Sequence, residues 1–243
     1  MRLSCLDTGH RLRARLFLRM TSRDAPDVVR MLLYRPEFFS RSLLALTVSA
    51  MRGPSYWTEG EREEMARLVA ERHRCAFCFD SHTEMTRLTG YDPAASRSIE
   101  DAPTHAVREA ARVRLVWEIV NRLGNAFGFA LRGDQVRSGT RALHRFGYRF
   151  PGFLLAGGSD AGYADPVENL RHAVFEAPAV TDPALRQAPP EPWTAYVALV
   201  RDASYRITDE DVRGLVAEHG EDAVFEMTVA AAVGAALKDA DRR

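Results

Sequence analysis

Apolar residues recur along most of this chain at the spacing of three and four positions that an amphipathic helix requires. No segment alternates β-branched and polar residues between turn pairs, as a half-buried strand would. The sequence therefore predicts an all-α fold. The apolar pattern places helices at seven positions: 25–34, 37–51, 75–89, 105–132, about 133–146, 209–219 and 221–239.

A further predicted helix begins at a clear local signal. Thr58 followed by Glu61 fits a capping box, in which each side chain satisfies a free backbone N–H of the other residue. This helix and the next form a predicted helical hairpin at 55–90. Residues 151–192 are rich in Gly, Pro and Asp, and we expect a loop-rich connection there to the C-terminal helices. We expect the whole chain, 1–243, to form a single domain.

The charge balance and the length of the apolar runs argue against two classes of protein, nucleic-acid-binding proteins and membrane-spanning proteins. The 243 residues include 33 Lys or Arg and 33 Asp or Glu, so the basic excess typical of a nucleic-acid-binding protein is missing. No apolar run approaches the roughly 18–20 residues that a membrane-spanning helix needs. The Arg-rich first residues have little of the Ser enrichment of a transit peptide, and we interpret them as a basic helix packed on the domain. We expect neither nucleic acid nor a membrane as a partner.

The cysteines indicate a chemical role and not a structural one. Three cysteines are present, Cys5, Cys75 and Cys78. This number is too small for a fold held together by disulfides, so we predict a reducing, cytoplasmic location. Cys75 and Cys78 form a C-x-x-C pair, and His82 follows the second cysteine by four residues. If Cys78 begins a helix, His82 lies one turn further on the same face and can accept the thiol proton. A cysteine in that position should have a lowered pKa, so the spacing predicts a redox site.

A carboxylate that orients the imidazole would complete this site. If two antiparallel helices meet near residues 72–74, Glu63 comes level with His82 and can hold its charged form. Glu61 and Glu64 are also available in the same helix. The spacing alone does not choose among the three glutamates.

Other interpretations of the C-x-x-C pair have less support. A structural zinc site normally needs four ligands, usually from a second pair, and the sequence has no second pair. A c-type haem requires His directly after the second cysteine, where Phe79 stands, and a thioredoxin-like fold would place strands around the motif. We therefore predict no metal and no cofactor. We interpret Phe79 and Trp117 as core or interface residues and assign no role to Cys5.

Together, Glu63, Cys75, Cys78 and His82 resemble the signature of alkylhydroperoxidase D-like proteins, a branch of the carboxymuconolactone decarboxylase superfamily. The close likeness covers about residues 55–90, and a looser likeness elsewhere is similar to the peroxidase-related subgroup. The resemblance implies an alkylhydroperoxidase D-like helical bundle, with the C-x-x-C on a central hairpin, that assembles as a homo-oligomer. It also implies that Cys78 is the peroxidatic cysteine, Cys75 the resolving cysteine, and His82 with Glu63 the proton relay.

The function that this resemblance implies is thiol-dependent reduction of hydroperoxides. Cys78 would attack the hydroperoxide, its sulfenic acid would condense with Cys75, and an external thiol or disulfide carrier would reduce the disulfide. Two alternatives remain open. One is a non-catalytic thiol–disulfide carrier or redox sensor, and the other is a lactone decarboxylase on the same fold, although that chemistry needs no cysteine pair.

The chain departs from the family's pattern next to the cysteines. Members often have Gly or Asn just before the first cysteine, where His73 and Arg74 stand in this chain. Some members have a His between the two cysteines, where this chain has Ala76-Phe77. We expect the basic residues before Cys75 to favour a thiolate if they face it.

Overall fold

The structure, a computed structural model, describes residues 1–20, 25–132, 134–157 and 161–241. Within these residues the chain forms thirteen α-helices and three short 3-10 helices, with no strand, so the predicted all-α fold class is confirmed. The helices are α1 Cys5–Thr8, α2 Leu12–Met20, α3 Asp27–Leu33, α4 Ser40–Arg52, α5 Glu59–Arg72, α6 Ala76–Leu88, α7 Thr104–Phe127, α8 Gln135–Phe146, α9 Pro166–Phe175, α10 Pro183–Gln187, α11 Trp193–Ala203, α12 Asp209–His219 and α13 Glu221–Asp241.

The long helix α7 lies at the centre of the packing. It contacts α4, α5, α6, α11 and α13, and nearly all of its residues from 113 to 127 are buried. Removal of this apolar surface from water is the main favourable contribution to folding. Helix α13 is buried along most of its length against α7 and α11. Its alanine-rich surface, which suits close helix packing, is therefore used within the chain.

The cap of α5 forms as the sequence predicts. The hydroxyl of Thr58 accepts from the N–H of Glu61, and the Glu61 carboxylate accepts from the N–H of Thr58 at 2.7 Å. The basic helix α2 also packs on the domain, through Ala14, Phe17 and Leu18, whereas Leu12, Leu16 and Met20 lie in solvent. The capping box fixes where α5 begins, and so which of its residues face α6.

One predicted helix ends earlier in the structure, and one helix was not predicted. The helix predicted at 105–132 ends at Phe127, because Gly128 adopts a left-handed conformation with φ of 66° that stops it. Helix α11 was not predicted, although its buried residues Trp193, Tyr196 and Val200 have helical spacing. The proline-rich segment before it resembles a loop. In the predicted connection at 151–192, the structure has a 3-10 helix, α9 and α10, and residues 158–160 lie outside the described part.

No helix in the described part of the chain is both long and apolar enough to cross a membrane.

Candidate functional site

The turn between α5 and α6 places Cys75 at the start of α6. Arg74 has a left-handed backbone conformation, with φ of 53°. The N–H of Cys75 donates to the carbonyl of Ala70, and the N–H of Arg74 donates to that of Glu71, both at 3.0 Å. This is the hydrogen-bond pattern of a Schellman motif, which ends a helix and reverses the chain. Cys75 therefore becomes the N-cap residue of α6.

The position before the first cysteine has a left-handed backbone conformation. Gly or Asn is favoured at such a position, because the side chains of other residues crowd the backbone there. Arg74 occupies it in this chain, and its guanidinium carbon lies 4.6 Å from the centre of the Tyr205 ring. This cation–π contact offsets part of the strain. It also directs the Arg74 charge toward Tyr205.

Both thiols are buried, with 2% of Cys75 and 1% of Cys78 exposed. A hydrogen bond from the Cys78 thiol lowers the pKa of Cys75, and backbone N–H groups of Cys78 and Phe77 add to this effect, so that together they outweigh burial. The same hydrogen bond raises the pKa of Cys78, and burial raises it further. The expectation of a lowered pKa at Cys78 is wrong, because its thiol is the donor in the hydrogen bond to Cys75 and is buried.

Gly124 of α7 forms the wall behind the two sulfurs. A Cβ atom at this position would lie 3.2 Å from Sγ of Cys75 and 3.7 Å from Sγ of Cys78. Glycine lowers helix stability, yet α7 continues through position 124 without a break. The absence of a side chain at Gly124 therefore gives the cysteine pair its room.

Glu63 and His82 meet because α5 and α6 pack against each other in opposite directions. Nδ1 of His82 lies 2.8 Å from Oε2 of Glu63, and both side chains are buried. The Trp117 ring stands nearly perpendicular to the imidazole, with 4.0 Å between ring centres. Trp117, predicted as a core residue, is buried and also forms a wall of this site.

The Glu63 carboxylate has two further partners. Nη2 of Arg52 lies 2.6 Å from Oε1, and the hydroxyl of Tyr148 lies 3.0 Å from both carboxylate oxygens. Burial raises the pKa of Glu63, but the hydrogen bonds and charges of His82 and Arg52 outweigh it, so the net pKa is lowered. Glu63 is therefore held as a carboxylate inside the protein.

The structure places the other two glutamates away from His82. Glu61 is used in the capping box and also accepts from the N–H of Arg97 at 2.8 Å. Glu64 pairs with Arg67 at 2.8 Å on the outside of α5. Of the three, Glu63 is the one that contacts His82, as the sequence-based interpretation proposed.

A cavity of about 60 Å³ lies in front of these residues. Its lining includes Cys78, His82, Trp117 and Tyr148, and the other lining side chains are mostly apolar. Residues of α3, including Val29, and of α8 close the opposite side, and we call these two helices the cover. Cys78 thus faces the cavity, whereas Cys75 lies outside the lining.

The basic residues before Cys75 face a second buried carboxylate. Glu118 of α7 is 1% exposed and is bound by Arg72, by Arg122 at 2.6 Å and by Nε2 of His73 at 2.6 Å. Burial lowers the pKa of His73 to about 3, with the charges of Arg122 and Arg72 contributing. His73 is therefore neutral and donates a hydrogen bond to Glu118. These groups anchor the turn, and their charges are directed at Glu118.

The sequence-based interpretation missed three residues of the site. These residues are Arg52, Gly124 and Tyr148. Gly147 before Tyr148 was the available signal, because glycine at the end of a helix marks a left-handed turn that redirects the next side chain.

Cys5 lies apart from the site. It belongs to α1 and is half buried, and its N–H donates to Glu221 at 2.8 Å. Burial raises the pKa of Cys5 to about 12, although a hydrogen bond from Tyr34 acts in the opposite direction. Its thiol is therefore not a nucleophile at neutral pH.

Within the described part of the chain, no three or more His, Cys, Asp or Glu side chains are grouped so that they could hold a metal ion. When the chain is compared with protein-family models, curated proteins and solved structures, nothing matches. The resemblance to alkylhydroperoxidase D-like proteins therefore rests on the spacing of Glu63, Cys75, Cys78 and His82, and it stays a prediction.

Proposed function

We propose that this chain is an enzyme that reduces hydroperoxides through a dithiol–disulfide cycle of Cys75 and Cys78. The observation that carries the proposal is that Cys78 and His82 line one apolar cavity, while the Glu63 carboxylate lies 2.8 Å from Nδ1 of His82. Exclusion of water strengthens electrostatic interactions between the groups that line such a cavity. A candidate nucleophile (Cys78), a candidate base (His82) and a carboxylate that orients the base (Glu63) thus lie next to one cavity.

Cys78 is the attacking sulfur in this proposal, because it lines the cavity and Cys75 does not. Its proton goes to the imidazole of His82, whose charged form Glu63 stabilises. The sulfur then attacks the distal oxygen of the hydroperoxide and the O–O bond breaks. The alcohol, or water, leaves with the proton from His82, and Cys78 becomes a sulfenic acid.

The position of Cys75 suits the second step. Its lowered pKa makes it the thiolate of the pair, and a thiolate is the nucleophile in disulfide formation. The Cys75 sulfur attacks the sulfur of the Cys78 sulfenic acid, the S–O bond breaks, and the hydroxide that leaves takes up a proton from solvent to become water. The two electrons that reduce the hydroperoxide come from the dithiol, and an external thiol or disulfide carrier restores them by exchange.

The cavity indicates a small substrate. A cavity of about 60 Å³ with mostly apolar lining favours a small, uncharged hydroperoxide. By resemblance we also propose a homo-oligomer that works in the cytoplasm.

The two alternatives fit the site less well. A carrier or sensor that exchanges disulfides with a partner protein needs no substrate cavity, whereas Cys78 and His82 line one. A lactone decarboxylase acts on a carboxylate-bearing substrate, and a buried carboxylate needs a charged partner. The described lining of the cavity contains no Arg or Lys.

The test is consumption of hydrogen peroxide and ethyl hydroperoxide by the reduced protein with dithiothreitol as reductant. We expect the wild type to turn over and Cys78→Ser to be inactive. Cys75→Ser that has been reduced and freed of dithiothreitol should consume one equivalent and stop at a sulfenic acid that dimedone traps. Cys5→Ser is the matched control and should behave like the wild type.

Two results would decide against the proposal. Undiminished turnover by Cys78→Ser would show that this sulfur does not attack. Reversible formation of the Cys75–Cys78 disulfide without any hydroperoxide consumption would favour the carrier or sensor.

A further inference from the structure

Tyr148 joins the cover to the pair formed by Glu63 and His82. Its ring lines the cavity, and its hydroxyl lies 3.0 Å from each oxygen of Glu63. It follows α8 almost directly in the chain, and residues of α8 line the same cavity. Tyr148 is therefore part of the cavity wall and also part of the surroundings of the carboxylate.

The backbone at Tyr148 is strained. Its φ of 63° lies in the left-handed region, as does the φ of 57° at Gly147. A bulky residue rarely adopts this conformation, and such strain persists where the surroundings determine it and is common at functional sites. The two left-handed residues reverse the chain after α8 and turn the phenol into the protein, where 6% of Tyr148 stays exposed.

The surroundings keep the phenol protonated. Burial raises the pKa of Tyr148, and the negative charge of Glu63 adds to this effect. The guanidinium carbon of Arg52 lies 4.9 Å from the ring centre and limits the movement of the ring. At neutral pH Tyr148 is thus a neutral hydrogen-bond donor in a fixed position, whereas Arg52 is the positively charged partner of Glu63.

We propose that Tyr148 is a positioning residue of the proton relay. Its hydroxyl fixes the carboxylate of Glu63 in the orientation in which Glu63 holds His82 beside Cys78. Without this donor, Oε1 is still held by Arg52, and rotation of the carboxylate moves Oε2 away from the imidazole. This inference rests on the proposed function, because it takes His82 as the base for Cys78.

The test uses thiol alkylation, so that no hydroperoxide is needed. Tyr148→Phe retains the ring and the cavity wall and removes only the hydrogen-bond donor. In a Cys75→Ser background, the rate at which iodoacetamide alkylates Cys78 is followed by mass spectrometry from about pH 5 to about pH 9. We expect Tyr148→Phe to slow alkylation at neutral pH about tenfold, the usual scale for a lost hydrogen bond to a charged group.

The pH profile should also change. When His82 no longer accepts the proton, alkylation depends on ionisation of Cys78 without a base, and burial, which Cys75→Ser leaves in place, raises the pKa of Cys78. The half-maximal rate should therefore move to higher pH in Tyr148→Phe. A purely structural role for the hydroxyl would lower the thermal midpoint and leave this profile where it is.

Two comparisons separate positioning from other effects. Tyr196→Phe removes another buried hydroxyl, which is hydrogen-bonded to Thr228 at 2.8 Å away from the cavity, and should leave the profile unchanged. In a Glu63→Gln background, Tyr148→Phe should have no further effect, because the hydroxyl acts through the carboxylate. Circular dichroism of each variant confirms its helical content.

Equal rates in the wild type and Tyr148→Phe would overturn the inference. Equal slowing with and without the Glu63 carboxylate would also overturn it, because the hydroxyl would then act by another route. If the wild type reduces no hydroperoxide, the proposed function fails, while these alkylation rates still decide the role of Tyr148.

Discussion

Nδ1 of His82 and Oε2 of Glu63 lie 2.8 Å apart, although 19 positions separate the two residues in the chain. The contact depends on the short turn at 73–75, which sets how α5 and α6 face each other. A shift of one residue along either helix would rotate its side chain by about 100° and separate the pair. The turn is therefore as important for the site as the side chains of Glu63 and His82 themselves.

We expect Glu63→Gln to lower the free energy of unfolding by about 3 kcal/mol, because it removes one partner of a buried ion pair. The guanidinium of Arg52, whose side chain is 5% exposed, would lose the carboxylate that lies 2.6 Å away. Urea denaturation measures this change. Glu64→Gln is the control, because its pair with Arg67 is partly exposed and should contribute less than about 1 kcal/mol. Equal losses in the two variants would contradict the buried-pair interpretation.

The contribution of Glu63 should depend on pH. Its folded-state pKa is lowered, so its contribution to stability is present above the unfolded-state pKa of about 4.3 and is lost as the pH falls through the folded-state value. The wild type and Glu63→Gln should therefore differ at neutral pH and converge in acid. Urea midpoints from about pH 7 to about pH 3 test this, and a constant difference would contradict it.

His73 should destabilise the folded state in acid. Its folded-state pKa is about 3, so between about pH 6.5 and pH 3 the unfolded chain binds a proton that the folded chain does not. The free energy of unfolding therefore falls as the pH falls through this range. We expect His73→Gln to reduce this slope, and His105→Gln, a change at an exposed histidine, to leave it unchanged. Denaturant titrations at several pH values provide the measurement.

Gly124→Ala should favour the disulfide over the dithiol. The added methyl group would lie 3.2 Å from Sγ of Cys75, and two separate thiols need more room than a bonded pair at about 2.05 Å. We expect a reduction potential about 30 mV more negative, a tenfold change in the equilibrium, measured against a glutathione buffer. Gly214→Ala is the matched control, because it also lies in a helix and nothing lies within 4 Å of its added atom. A shift toward the dithiol in Gly124→Ala would refute this explanation.

The lowered pKa of Cys75 should depend on the side chain at position 78. Its largest cause is the hydrogen bond from the Cys78 thiol. Cys78→Ser keeps a hydroxyl donor and should retain most of the lowering, whereas Cys78→Ala removes the donor and should raise the pKa. Ultraviolet absorbance of the thiolate during a pH titration measures both. Identical titrations would show that the backbone N–H groups alone set the value.

Residues close together in the sequence were the predictable part of this site. Helical periodicity predicted the fold class, and the spacing of Cys75, Cys78 and His82 follows from two turns of one helix. Glu63 was reached by assuming where two helices reverse direction. The capping box at Thr58 marked the start of α5, and the structure agrees with it.

The parts that depend on tertiary packing were not predictable from the sequence. Tyr148 contacts Glu63 across 85 positions of the chain, and nothing in a single sequence reports such a contact. The order of the two thiol pKa values depends first on which thiol donates the hydrogen bond to the other. Helix α11 was missed because the prolines before it resemble a loop.

In the proposed cycle, the burial of the two cysteines limits the rate at which a reductant reaches the disulfide. Only 2% of Cys75 and 1% of Cys78 are exposed, so a bulky reductant reaches the disulfide only while the surrounding helices are open. When opening is slower than exchange, raising the concentration of a protein reductant increases the rate only until opening becomes limiting. A small dithiol enters more easily and should continue to accelerate the reaction at concentrations where the protein reductant has reached its plateau.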